Sequence, residues 1–203
     1  MQETSAGPWA EESHLSGKTL GSLRDLNHRF LNLVGASNGT WAGRCGLPAA
    51  VTRKLTALSH VQRAAAAGCP YALFDMRFHD HMHWRARLQG EPWRVADHIG
   101  GDEPARELAS LIVFFAWHAA SVSGLSAPLL LGMRAETVEG FRRLPVDSLP
   151  ALALSETQHL GARWQECAAY WSALCNAAGS DNPAALRRVQ LYGLQLAAAA
   201  RLP

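Results

Sequence analysis

Segment 45–88 can be laid on segment 131–174 without a gap, and this self-similarity restricts the chain to architectures built from two like halves. Gly46 falls on Gly132, Leu47 on Met133, Ala49 on Ala135, Leu55 on Phe141 and Leu58 on Leu144. Later in the same register Arg77-Phe78 falls on Arg163-Trp164, and Leu88 on Leu174. Each copy follows an apolar stretch with helical spacing, 20–34 and 108–122. Two copies are too few for a solenoid, which needs a longer stack to bury its faces. They suit a pseudo-dimer, a homodimer written on one chain.

The predicted fold is all-α, with two tandem pseudo-symmetric helical modules packed around the long apolar helices. Residues 1–18 read as a polar, Gly/Ser-rich tail without the apolar run of a signal peptide. Residues 19–90 form the first module, 91–103 a Pro/Gly-marked linker, 104–178 the second module and 179–203 a C-terminal helix. Within the modules, helices are expected at 20–34, 48–57, 79–88, 108–122, 135–143, 147–154 and 164–177. Ser59 with Gln62 has the form of a capping box. Tyr71 to Phe78 alternates imperfectly and reads as extended chain. Asn182-Pro183 starts the last helix, because asparagine caps and proline tolerates the next position.

Hydrophobic residues make up 48% of the 203, enough for a sizeable core. Between 108 and 133 no residue is charged. The apolar part before Ser123-Gly124 is short for a bilayer, so a buried central helix is expected and no membrane. Cys45, Cys69, Cys167 and Cys175 contain no Cys-x-x-Cys pair and read as reduced thiols of a cytoplasmic protein. Trp84, Trp164 and Trp171 fit the module cores. Trp9, Trp41 and Trp93 fall in expected loops, where an exposed indole would mark a binding surface.

The formal net charge of +2 is too small for a protein that grips nucleic acid unaided. Arg53-Lys54 and Arg142-Arg143 stand apart, because each lies on the first short helix of its copy. They are the candidate DNA contacts, on two pseudo-symmetric faces.

Leu131-Gly132-Met133, followed by 136–144 and 149–154, resembles the core of FlhD, one subunit of the FlhD/FlhC transcription activator of flagellar genes. Arg77-Phe78-His79-Asp80-His81 matches the family's Arg-Phe-x-Asp-His segment, and Gly46, Leu55, Leu58 and Ser59 match the helix pair before it. The second copy keeps Arg163-Trp164 and then has Glu166-Cys167. The chain is nearly twice the family's length. The resemblance implies a non-enzymatic regulator or adaptor that contacts DNA only together with a zinc-bearing partner protein.

One cluster has metal-ligand character. His79, His81 and His83 alternate with Asp80 and Met82, and imidazoles with a carboxylate bind zinc or iron. On a strand the three rings would share a side; on a helix His81 would point away from the other two. The competing reading has Arg77, Asp80 and the histidines capping a helix and bonding one another. The resemblance includes this segment without a metal, so no cofactor is expected. The alternative functions are a metal-binding enzyme or sensor using this cluster, and a protein-interaction adaptor with no DNA role. His118 reads as a core histidine. No Gly-x-Gly-x-x-Gly, phosphate loop or Gly-x-Ser-x-Gly is present. Arg77 and Arg163, each before an aromatic residue, read as structural arginines that bond buried carbonyls or carboxylates.

Overall fold

The computed structural model describes residues 16–36, 40–89, 103–122, 125–180 and 182–200. Residues 1–15 of the expected tail, Trp9, Trp93 and the linker up to Gly101-Asp102 lie outside the described residues, while Gly17 and Lys18, assigned to that tail, open the first helix.

The described residues are mostly helical. Helix α1 (Gly17–Ala36) places Leu23, Leu26, Phe30, Leu31 and Val34 on one buried face. A short α2 (Thr40–Arg44) follows, then α3 (Ala49–Ala57) and α4 (His60–Ala66). Both bonds of the Ser59/Gln62 capping box form, so two donors at the start of α4 are satisfied within one turn. The chain then passes through turns and bends, is extended only in β1 (Phe74–Asp75) of the stretch expected to be extended, and turns into α5 (His81–Gln89). The second half has α6 (Glu103–Val122), α7 (Ser126–Leu131), α8 (Ala135–Arg142) and α9 (Leu149–Glu156), the last flanked by single 3-10 turns. β2 (Gly161–Ala162), α10 (Ala168–Ala178) and α11 (Pro183–Ala199) complete it. Asn182 caps α11 as expected, accepting from the amides of Ala184 and Ala185. No described helix is long and apolar enough to cross a membrane.

Gly46 and Gly132 both adopt positive φ, 76° and 77°, each just before α3 or α8. A Cβ disfavours that region, so glycine suits both turns. Two residues after each strand the backbone is again left-handed, at Arg77 (φ 58°) and at Trp164 (φ 51°). The register that lays Arg77 on Arg163 is therefore one residue out in this stretch. The second half carries one residue more between its glycine and its strand. A gapless alignment has no means of seeing that insertion.

The expected modules do not keep separate cores. α5 packs on α8, α10 packs on α3 and α4, and α6 lies between α1 and α9. One continuous cluster runs from Leu23 to Ala178. Two expectations are corrected here, a loop tryptophan and a core histidine. Trp41 sits in α2 and is buried, and His118 is exposed on α6. Helical periodicity places His118 on the solvent side of a helix whose other positions are mostly apolar.

Tyr71 anchors the C-terminal helix. Its hydroxyl donates to the Gln190 carbonyl and bonds the Tyr170 hydroxyl. Gly193, one turn along α11, meets the Tyr71 ring so closely that an added Cβ collides with Cζ and Oη. Helix propensity alone would make Gly193→Ala stabilising by about 1 kcal/mol. The collision with a fully buried ring reverses the sign, and a net loss of about 1–3 kcal/mol is expected. Thermal or denaturant unfolding reads it; a raised midpoint would show that α11 is free to shift.

Candidate functional site

The site is built from the N-terminus of α5. Asp80 accepts from the His83 amide at 3.0 Å and pairs with the Arg77 guanidinium. The Trp84 indole donates to the Arg77 carbonyl at 3.0 Å. Trp84 stacks on Phe78 and meets Phe141 of α8 edge-on at 4.9 Å. These contacts set the rotation of α5. His83 and Arg87, four residues apart, consequently share one face.

That face meets the end of α9. Glu156 closes α9 on its buried side and is only 1% exposed. Arg87 Nε donates to Glu156 Oε1 at 2.6 Å, and His83 Nε2 lies 2.7 Å from Oε2. The 3-10 turn that follows returns His159, whose Nε2 is 3.9 Å from the same Oε2. The two imidazoles sit edge to face, 5.0 Å apart. A buried carboxylate is costly unless paired and hydrogen-bonded, and here the Arg87 guanidinium takes one oxygen while the His83 imidazole takes the other. Burial, partly opposed by Glu156, holds His159 below the ordinary histidine range. His159 is therefore mostly neutral near pH 7, with a lone pair available.

The three histidines expected as one ligand set are not brought together. His79 is exposed and bonds Asp75 at 3.2 Å, which holds it above the usual histidine range. His81 lies on α5, where a two-residue step turns the side chain by roughly 200° from His83. Only His83 joins a cluster, with Glu156 and His159. Glu156-Thr157-Gln158-His159 has a carboxylate and an imidazole at i and i+3, a spacing that puts both on one side of a helical turn. That signal was readable, but nothing in the chain links it to His83.

The remaining expected residues are dispersed. Arg53 is exposed on α3, and Lys54 donates to Asn176 Oδ1 at 3.1 Å. Arg142 and Arg143 are exposed and both pair with Glu139. Arg163 is buried, donates to the Leu130 carbonyl at 3.0 Å and lies over the Trp164 ring. Arg77 differs, because its guanidinium is half exposed and meets a partly exposed Asp80. Such a pair contributes about 0–1 kcal/mol. Cys45, Cys69 and Cys175 are buried, and burial raises their thiols to about 12, 11 and 11, which suppresses thiolate chemistry. An open groove between α10 and α11 is lined by Ala173, Asn176, Arg188 and Tyr192.

No family model, curated protein or solved structure matches the chain.

Proposed function

We propose that the chain is a non-enzymatic regulatory protein, a pseudo-dimer of two FlhD-like modules, which acts as an adaptor with a partner protein and reaches DNA through that complex. The observation that carries the reading is the recurrence of the same backbone features in both halves, with which the strand pairing is compatible. Phe74 faces Ala162 and Asp75 faces Gly161, antiparallel. If Phe74 is matched with Gly161 and Asp75 with Ala162, each residue faces its partner's counterpart. A two-fold axis between copies generates that pattern. Three further matches support it: the left-handed glycines before α3 and α8, the left-handed residues Arg77 and Trp164, and the tryptophans that open α5 and α10. The tryptophans correspond but their acceptors are one residue apart in that register: Trp84 donates to the Arg77 carbonyl and Trp171 to the carbonyl of Arg163, the residue before Trp164. The exchange of α5 and α10 between halves is what an intertwined dimer on one chain would have.

Arg53, Lys54, Arg142 and Arg143 are the DNA contacts in this reading. Glu139 offsets part of the charge of Arg142 and Arg143, consistent with weak binding by the chain alone. The test is a mobility shift of duplex DNA by the full chain, alone and with the protein that copurifies from its own cell. Alone, binding is expected to be weak, indifferent to sequence and lost with salt. With the partner it is expected to become site-selective, and to weaken when Arg142 and Arg143 are both changed to alanine. A complex that ignores DNA would overturn the DNA role and leave an adaptor. Tight, selective binding by the chain alone would overturn the need for a partner.

A further inference from the structure

We infer that His83, Glu156 and His159 form a binding site for one divalent transition-metal ion, zinc in the first instance, which links the first half of the chain to the second. The inference does not depend on the regulatory reading, since an adaptor with no DNA role would keep the same three ligands.

The three ligand atoms all lie within 4.8 Å of one another. They are two imidazole nitrogens and one carboxylate oxygen, a donor set that suits zinc. A tetrahedral ion with bonds of about 2.0–2.1 Å sets its ligands roughly 3.3 Å apart. The separations here, 2.7 Å from His83 to Glu156 and 3.9 Å from His159 to Glu156, straddle that value. Small side-chain rotations close the difference. Arg87 occupies Oε1 and so leaves Oε2 turned toward both rings, the orienting part that an outer partner plays around a metal. Trp84 limits the His83 ring by an edge contact at 5.5 Å. The carboxylate is buried while the imidazoles are only partly so, 13% and 26% exposed, so an ion has a way in and a position left for water. His83 belongs to α5, and Glu156 and His159 belong to the end of α9 and the turn after it. An ion here would clasp the two halves beside the α5–α8 contact.

The test uses the full chain, stripped with a chelator and titrated with Zn²⁺ by calorimetry, and with Co²⁺ by absorption. One equivalent per chain is expected, with a rise in thermal midpoint, because an ion that binds only the folded chain stabilises it. The Co²⁺ spectrum should lack thiolate charge-transfer bands, which excludes the cysteines as ligands. Losing even an outer partner costs about tenfold in affinity, so His159→Ala should cost that or more. His81→Ala should cost nothing. Circular dichroism confirms that the variants keep their helices; if His159→Ala does not, Glu156→Gln, which keeps shape and loses the anionic ligand, takes its place. Absence of stoichiometric uptake, thiolate bands, or unchanged affinity in the ligand variant would each overturn the assignment.

Discussion

Replacing Asn27 with alanine is expected to cost about 3–4 kcal/mol of folding stability, one of the two largest single-residue effects argued for this chain. Asn27 is fully buried on the core face of α1. Its amide nitrogen donates to the Tyr71 carbonyl at 2.9 Å and approaches those of Ala67 and Cys69 at 3.3 and 3.5 Å. Its oxygen accepts from the Leu73 amide at 2.8 Å. One side chain thus satisfies the backbone of a stretch that has no helix or ladder to satisfy it. Alanine strands at least one buried donor and one buried acceptor, each costing about 1–3 kcal/mol, and leaves a void. Asn27→Asp keeps the acceptor but turns an anionic oxygen toward three carbonyls, and should be at least as damaging. Asn32→Ala, which loses only a bond to His28 on the same helix, should stay within about 0.5 kcal/mol. Urea unfolding of the three variants decides the matter. A change below about 1 kcal/mol for Asn27→Ala would mean that water or a shifted loop takes over these bonds.

Asn27 also shows how far the sequence could be read. The spacing of Leu23, Leu26, Phe30 and Val34 foretold α1, and position 27 lies on that same face. A polar residue there reads as solvent-facing until its partners, some forty residues away in sequence, are known. Local signals fared well elsewhere: the Ser59/Gln62 box and the Asn182 cap close within a single turn and need no tertiary knowledge. α2 and α7 were not foreseen, being only five and six residues long, too short for a periodic pattern. The strand pair was missed because each member has two residues and is defined by the other. The same rule governs the site. The histidine run drew attention to His79, His81 and His83, yet helical geometry separates neighbours that a strand would align. Of the three, tertiary packing enlists only His83 in the cluster. Its partners, Glu156 and His159, come from the other half of the chain.

Glu156→Ala is expected to cost about 3 kcal/mol when measured in a chelating buffer, so that no ion contributes. The carboxylate is buried and both of its oxygens are engaged, with Arg87 on one and His83 on the other. Removing it leaves a cation without its anionic partner, and breaking a buried pair in this way usually costs about 3–5 kcal/mol. The lower end applies because Arg87 is one third exposed and can swing its guanidinium to water. Glu139 supplies the contrast on α8. It pairs with two arginines, but all three side chains are at least about half exposed, so Glu139→Ala should cost about 0–1 kcal/mol. Ion pairs on the two glutamates therefore predict unequal losses, with burial as the main cause. A double-mutant cycle between Glu156 and Arg87 should return a coupling of about 1–3 kcal/mol. If Arg87→Ala rescues part of the loss in Glu156→Ala, the cost came from the stranded cation. If the two losses simply add, the pair does not act as a unit and Glu156 stabilises the fold through His83 and α9 packing instead.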